Sequence, residues 1–343
     1  MLSKKEKINI IEKYCVITHQ IKEIIDDIKE QRELAKLTGY EEQPNSILVT
    51  AETGMGKTKL IKEYLKKYND IRTEQYDGGE KTIMPVLFAS VPDDTGPRAA
   101  PMEILNALGD PLYNKGTRAD LNIRFAKDAK ECGIELIVID EFQNAIETGT
   151  DKVVYRVAEW IKTIINKTNI PVVLLGMPWA LDVVELNSQL ESRFPIKHHI
   201  KMYGQGNFED WRKFLKKIDT KLPFDEVSGL SNKELAFRLL AVSQGRIGIL
   251  MKRIIRPAAH AALASDLSKI PVQYLLDASV KYCKIPEESN PLSLQHVAIN
   301  DIVASCAVSE SVYRPAKGRK RPSLQEAKFA SVTFDELRVS DTR

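Results

Sequence analysis

Apolar residues recur along this chain with two periods. Between residues 18 and 37, Ile21, Ile24, Ile25 and Ile28 return at helical spacing opposite Lys22, Glu23, Asp26, Asp27 and Lys29. Gly39 is placed to cap the end, so an amphipathic helix is predicted ahead of the first strand. Ile47-Leu48-Val49 is a short apolar run, and Leu60, Ile61, Tyr64, Leu65 and Tyr68 restore the helical period after it. Residues 69–81 are polar and contain glycine, and they read as a connection. Further apolar stretches at 84–89, 136–139, 171–175 and 196–200 predict strands, and runs without alternation belong to strands buried on both faces. Between them the pattern predicts helices ending at 109, over 118–130, and around 153–165. In the last of these Val153, Val154, Val157, Trp160, Ile161, Ile164 and Ile165 share one broad face. Strands alternating with helices predict an α/β fold with a parallel five-stranded sheet.

After Tyr203-Gly204-Gln205-Gly206 the strand runs stop. Helical patterns follow at 208–217, 233–242 and 249–264, the first mixing Trp211, Phe214 and Leu215 with Arg212, Lys213, Lys216 and Lys217. From about residue 285 the pattern fades. Arg314, Lys317, Arg319, Lys320 and Arg321 form a basic stretch with no acid, and isolated Phe329, Val332, Phe334 and Leu337 follow. This reads as a partly disordered tail, suited to docking on a partner or serving as a solubilising extension. The expected division is an N-terminal helical segment (1–43), an α/β core (44–202), a small helical lid (203–283) and a C-terminal extension (284–343).

The 343 residues are 43% hydrophobic and 28% charged, which describes a soluble globular protein. The net charge of +3 excludes a global basic field, so any nucleic-acid surface is a local patch. Cys15, Cys132, Cys283 and Cys306 are scattered without a C-x-x-C pair. That argues against a zinc site or a disulfide framework and suits a reducing cytoplasm. No apolar run approaches the length of a membrane span, and none near the start resembles a signal segment.

The candidate chemistry starts at Ala51-Glu52-Thr53-Gly54-Met55-Gly56-Lys57-Thr58, between the first strand and its helix. This is the context of a phosphate-binding loop. Gly54 and Gly56 let backbone N–H groups turn inward on an anion, around which Thr53 and Met55 also lie, and the helix N-terminus adds partial positive charge. Lys57 is placed to reach the terminal phosphates of ATP and Thr58 to ligate Mg²⁺. Ala51 stands where the motif usually begins with glycine. Asp140 and Glu141 end a buried strand, where ligands bind in open α/β sheets. Asp140 fits a metal-holding role and Glu141 the positioning and activation of an attacking water. Arg193, beside Phe194, fits a guanidinium offered to a neighbouring subunit's phosphate or a salt-bridged surface arginine. Arg246 fits a second phosphate contact made from the lid.

With these residues in view, the chain resembles AAA+ ATPases, and more narrowly the TniB/TnsC family of transposition regulators. The likeness runs from about residue 43 to 263. It rests on the phosphate loop, on residues 85–111, on Cys132-Gly133-Ile134-Glu135-Leu136-Ile137-Val138-Ile139-Asp140-Glu141-Phe142-Gln143-Asn144, on residues 170–176, on Ser188-Gln189-Leu190-Glu191-Ser192-Arg193-Phe194, and on Leu222-Pro223-Phe224 with Ser243-Gln244-Gly245-Arg246-Ile247-Gly248. The resemblance implies an AAA+ P-loop core with a helical lid. It makes Arg193 a finger acting in trans and Arg246 a lid sensor. It also implies ATP-dependent rings or filaments on double-stranded DNA that join a target-selection module to a transposase. Met177 departs from the family, which usually has a polar sensor residue after this glycine, and so bears on the hydrolysis rate. The DNA contacts expected of such an assembly fall to Arg98, Lys115, Arg118, Lys152 and Arg156. A replication-initiator or clamp-loader-like ATPase, and an ATP-gated DNA-binding scaffold with negligible turnover, remain open beside this reading.

Overall fold

The computed structural model describes residues 2–14, 16–91, 98–144, 151–185 and 187–293. The loop at 92–97, the side chain of Lys152 and the basic tail beyond 293 lie outside the described residues. In chain order the elements are α1 (Lys4–Lys13), α2 (His19–Leu37), β1 (Ile47–Ala51), α3 (Lys57–Tyr68), β2 (Arg72–Tyr76), β3 (Gly79–Ile83), β4 (Val86–Ser90), α4 (Ala99–Leu108), α5 (Arg118–Glu131), β5 (Leu136–Asp140), α6 (Asp151–Thr168), β6 (Val172–Gly176), α7 (Ala180–Glu185), α8 (Ser188–Glu191) and β7 (Ile196–Ile200).

The predicted parallel sheet of five strands is present, in the order β4-β5-β6-β1-β7. Every residue of β1, β5 and β6 is buried, which is why these strands appear in the sequence as unbroken apolar runs. Alternate side chains feed two layers. Leu48, Ile137, Ile139 and Leu174 join the core under α4, α5 and α6. Ile47, Val49, Val138 and Leu175 join the other, where Ile24, Ile28, Leu60 and Ile61 of α2 and α3 cover them.

The stretch 69–81 is not a plain connection. β2 and β3 form an antiparallel hairpin with Tyr76 opposite Gly79. Its two-residue turn is Asp77-Gly78, and the positive φ of the bend falls on the next residue, Gly79, at +133°. Nearly all of its residues are exposed, so no apolar alternation marked the strands.

The lid holds α9 (Phe208–Asp219), α10 (Lys233–Ser243) and a longer helix, α11. That helix opens at Ile247–Ile249, widens to π geometry over Leu250–Ile255 and returns to α over Arg256–Ala264. Trp211 of α9 is fully buried and ties α9 to α10, with its indole N–H donated to the Ala236 carbonyl at 2.9 Å. α1 packs in the same core: Ile11 is buried among the lid residues, and Glu12 pairs with His260 at 2.9 Å and Arg256 at 3.3 Å. The first forty residues are thus divided, α1 lying on the lid and α2 under the sheet.

Candidate functional site

β1 and β5 run parallel, so the loop after β1 and the carboxylates ending β5 emerge at the same end of the sheet. Gly54 and Gly56 sit at φ +82° and +95°, a region that favours glycine, and Gly56 caps α3. Met55 is fully buried in the α2–α3 layer and pins the loop to the core.

Within this loop the Lys57 ammonium is buried and donates to the Ala51 carbonyl at 2.6 Å and the Glu52 carbonyl at 3.4 Å. Burial holds it below the usual lysine range, while Glu141, Asp140 and Glu52 pull the other way. The Thr58 hydroxyl donates to Asp140 Oδ2 at 2.8 Å, spanning the width of β6. Burial pushes the Asp140 carboxyl up, against hydrogen bonds from Thr58 and the Glu141 backbone. A hydroxyl beside a carboxylate is a hard-oxygen donor pair, and its chemistry suits Mg²⁺, which takes few protein ligands and keeps the rest of its shell for phosphate and water.

Glu141 follows at φ +53°, a region that side chains other than glycine rarely adopt. Its N–H donates to Asp140 Oδ1 at 2.9 Å, and Phe142 then turns back into the core, its N–H on the Leu175 carbonyl at 2.9 Å. Gln143 is buried here too. Its amide nitrogen donates to Glu141 Oε2, and its amide oxygen accepts the Met177 N–H at 3.1 Å. The Met177 sulfur lies 3.6 Å from both Lys57 Nζ and Thr53 Oγ1.

Arg246 precedes α11, and two residues on the Gly248 N–H donates to the Gly54 carbonyl at 2.7 Å. The lid therefore rests on the phosphate loop. A cavity of about 910 Å³ opens between the α1–α2 link, the residues after β7 and α9, and no phosphate-loop residue lines it; its walls include Val16, Thr18, Tyr203 and Phe214, with Lys201 and Lys217 among its polar residues.

Thr53, Gly54, Met55, Gly56, Lys57, Thr58, Asp140, Glu141 and the lid end carrying Arg246 thus gather at one place. Arg193 does not. Its carbonyl accepts the Ser46 N–H at 2.8 Å, at the opposite end of β1. Five residues of strand, about 16 Å at roughly 3.3 Å each, separate it from the loop. Its Nε is buried without a hydrogen bond among the described residues.

Four of the five basic candidates collect at a third place, near the N-terminal ends of α4, α5 and α6. Arg98 donates to the Gly116 carbonyl at 2.7 Å, next to exposed Lys115, and Arg118 donates to the Arg156 carbonyl at 2.7 Å. Burial and then the neighbouring Arg156 lower the Arg118 pKa. Gln143 is the site residue that the sequence did not single out. Its one signal is a polar side chain two positions after a strand-ending carboxylate.

The family model described as the bacterial TniB protein matches residues 7–203. Origin recognition complex subunit 4 of Cricetulus griseus is 24% identical over 191 residues, and the chain spans only 42% of that relative's length. Among solved structures, the Aeropyrum pernix ORC1 protein in complex with DNA superposes with a TM-score of 0.54 at 17% identity, covering 78% of this chain and 66% of that one. The Aeropyrum pernix ORC2 protein (ADPNP–ADP complexes) gives 0.52 at 15% identity, covering 77% and 69%. At this identity the likeness establishes the fold, that of the AAA+ ATPases. Among the described residues no helix is long and apolar enough to cross a membrane.

Proposed function

The chain belongs to the family of bacterial TniB proteins, and from that premise we propose that it is a Mg²⁺-dependent ATPase that assembles on double-stranded DNA with ATP and links a target-selection module to a transposase. The observation that carries the proposal is the meeting of Lys57, Thr58, Asp140 and Glu141 at the ends of β1 and β5. In this reading Thr53 to Thr58 hold the phosphates of ATP, with the loop N–H groups and the α3 dipole facing them. Thr58 and Asp140 hold Mg²⁺, which when bound neutralises phosphate charge. Glu141 accepts a proton from the attacking water. Arg246 reaches the phosphates from the lid.

Arg193 completes the site of a neighbouring copy, since its own site lies a strand length away. ATP bound between copies would then favour the assembled state, and hydrolysis would release it. Arg98, Lys115, Arg118, Lys152 and Arg156 meet DNA phosphates. Positive charge at helix N-terminal ends is unfavourable in the protein alone and is relieved by a phosphate partner. The likeness to origin-recognition proteins favours a replication-initiator role as the second reading.

Electron microscopy of the full chain with duplex DNA and ATP, a non-hydrolysable analogue, ADP or no nucleotide tests the proposal. Rings or filaments that need both DNA and an ATP-like ligand, on DNA of any sequence, support it. Monomers in all conditions overturn the assembly, and binding confined to one sequence favours the initiator.

A further inference from the structure

We propose that Gln143 is the positioning residue for Glu141, held in turn by the backbone at the end of β6. The inference rests on the reading of Glu141 as the water-activating group and deepens it. Gln143 is only 5% exposed and is held at both ends of its amide. Its Oε1 accepts the Met177 N–H at 3.1 Å, and its Nε2 donates to Glu141 Oε2. The first bond decides the second. A backbone N–H requires an acceptor, so the amide oxygen faces Met177 and the nitrogen must face the carboxylate.

Glu141 needs such a grip. Its backbone is held by Asp140 on one side and by the Asn144 N–H, 2.9 Å from its carbonyl, on the other, at a φ of +53°. Those bonds fix where the side chain starts and leave its far end free to turn. Gln143 takes one carboxylate oxygen, Oε2, and leaves Oε1 to accept a proton. The space for the amide is shaped by Gly176, where a Cβ would lie 3.5 Å from Gln143 Oε1 and 2.8 Å from the Ala180 Cβ.

The arrangement also accounts for Met177. A thioether is a weak acceptor and donates nothing, so this side chain has no means of orienting a carboxylate or a water. It lies instead against Lys57 and Thr53. The backbone of the same residue anchors Gln143, and through it the end of β6 is mechanically joined to Glu141. The polar link that residue 177 cannot supply from its side chain is supplied from its N–H.

The test is ATP hydrolysis by the full chain with Mg²⁺ and duplex DNA, for wild type, Gln143→Leu, Gln143→Asn, Glu141→Gln and the Gln143→Leu/Glu141→Gln pair. Binding of a fluorescent ATP analogue and the Tm of each protein are measured alongside. Leu is close in size and makes neither bond, whereas Asn keeps the amide but is one methylene too short to span both partners. Either variant is expected to lower kcat about ten- to a hundred-fold, the scale of a misplacement near 1 Å, with KM and analogue affinity within about two-fold of wild type. Gln143→Leu should take nothing further from the residual turnover of Glu141→Gln. Wild-type kcat in both Gln143 variants overturns the assignment. So does a fall in affinity or Tm that accounts for the loss, or a further fall on the Glu141→Gln background; either makes Gln143 a packing residue. Should Gln143→Leu fail to fold, Gln143→Asn decides alone. Wild-type turnover independent of Glu141 overturns the hydrolytic reading itself and this assignment with it. Glu141-dependent turnover indifferent to Gln143 overturns only the assignment.

Discussion

Gly248 donates its backbone N–H to the carbonyl of Gly54 at 2.7 Å, so the first turn of a lid helix is bonded to the phosphate loop by main chain alone. The approach requires that residue 248 have no side chain. A Cβ there would lie 2.8 Å from the Gly54 oxygen and 3.0 Å from its Cα, and backbone atoms in a tight loop have little room to yield. Gly248→Ala should lift the lid end off the loop and carry Arg246 with it. The helix itself gains propensity, by up to about 1 kcal/mol. The expected result is a nucleotide affinity about ten-fold weaker, equivalent to roughly 1.4 kcal/mol, in a protein of unchanged or higher Tm. Titration with a fluorescent ATP analogue checks it, and unchanged affinity would show that the lid adds nothing to binding.

On the proposed function, Lys57 is a charge placed for a ligand, at some cost to the fold. Burial puts its folded pKa below the unfolded one, against the pull of Glu141, Asp140 and Glu52. Between those two values the unfolded chain binds more protons, so stability rises with pH. The penalty is therefore full below the folded pKa and fades as pH climbs towards the unfolded value. Lys57→Met keeps the length and removes the charge. The nucleotide-free variant should be more stable at neutral pH by about 1 kcal/mol, a few degrees in Tm, while losing nucleotide binding. Its advantage over wild type should shrink as melts are taken from pH 7 towards 10.

The parts of this molecule that the sequence announces are those whose signal is local. β1, β5 and β6 are buried on both faces and so appear as apolar runs. The phosphate loop is eight consecutive residues, and Asp140 with Glu141 ends a run. The hairpin hid because its strands are exposed, although Asp77-Gly78 marked its turn. α1 hid because Ile11 is its one buried residue, although Ser3 and Glu6 form a capping box at its start. The grip of Gln143 on Glu141 depends on Met177, thirty-four positions away, and the lid contact joins two glycines through backbone atoms, which leave no pattern in side-chain chemistry.

α1 provides a test of how the lid is built. Ile11 is 1% exposed and packs in the core that holds Trp211, Leu240 and Ile254. Ile11→Ala should destabilise by about 2–5 kcal/mol, the usual range for a truncated core isoleucine. The loss should appear in the lid first. Hydrogen exchange should show α9 to α11 opening sooner while β1, β5 and β6 stay protected. Equal loss of protection in the sheet would mean that lid and core unfold as one unit.

Arg193 gives the sharpest test of assembly, because its position separates cis from trans action. Its carbonyl is bonded to Ser46 at the start of β1, whereas Lys57 and Thr58 lie beyond the strand's other end. About 16 Å of strand is more than an arginine side chain spans. Any service to a γ-phosphate must then go to a second copy. Arg193→Ala should leave the affinity of the isolated chain for nucleotide unchanged and cut turnover by about 10³-fold, the lower end of what such a guanidinium contributes. Glu141→Gln should also be inactive, yet it still carries Arg193. Mixed in equal amounts on duplex DNA, the two variants should recover activity, because in random mixing about a quarter of the interfaces combine an intact Glu141 with an intact Arg193. Recovery of about a quarter of the wild-type rate is the expectation for random mixing, in the same way that transition-state charge is supplied across an interface elsewhere. A mixture as inactive as its components would remove the trans role. An Arg193→Ala protein with wild-type turnover would leave Arg193 a surface arginine.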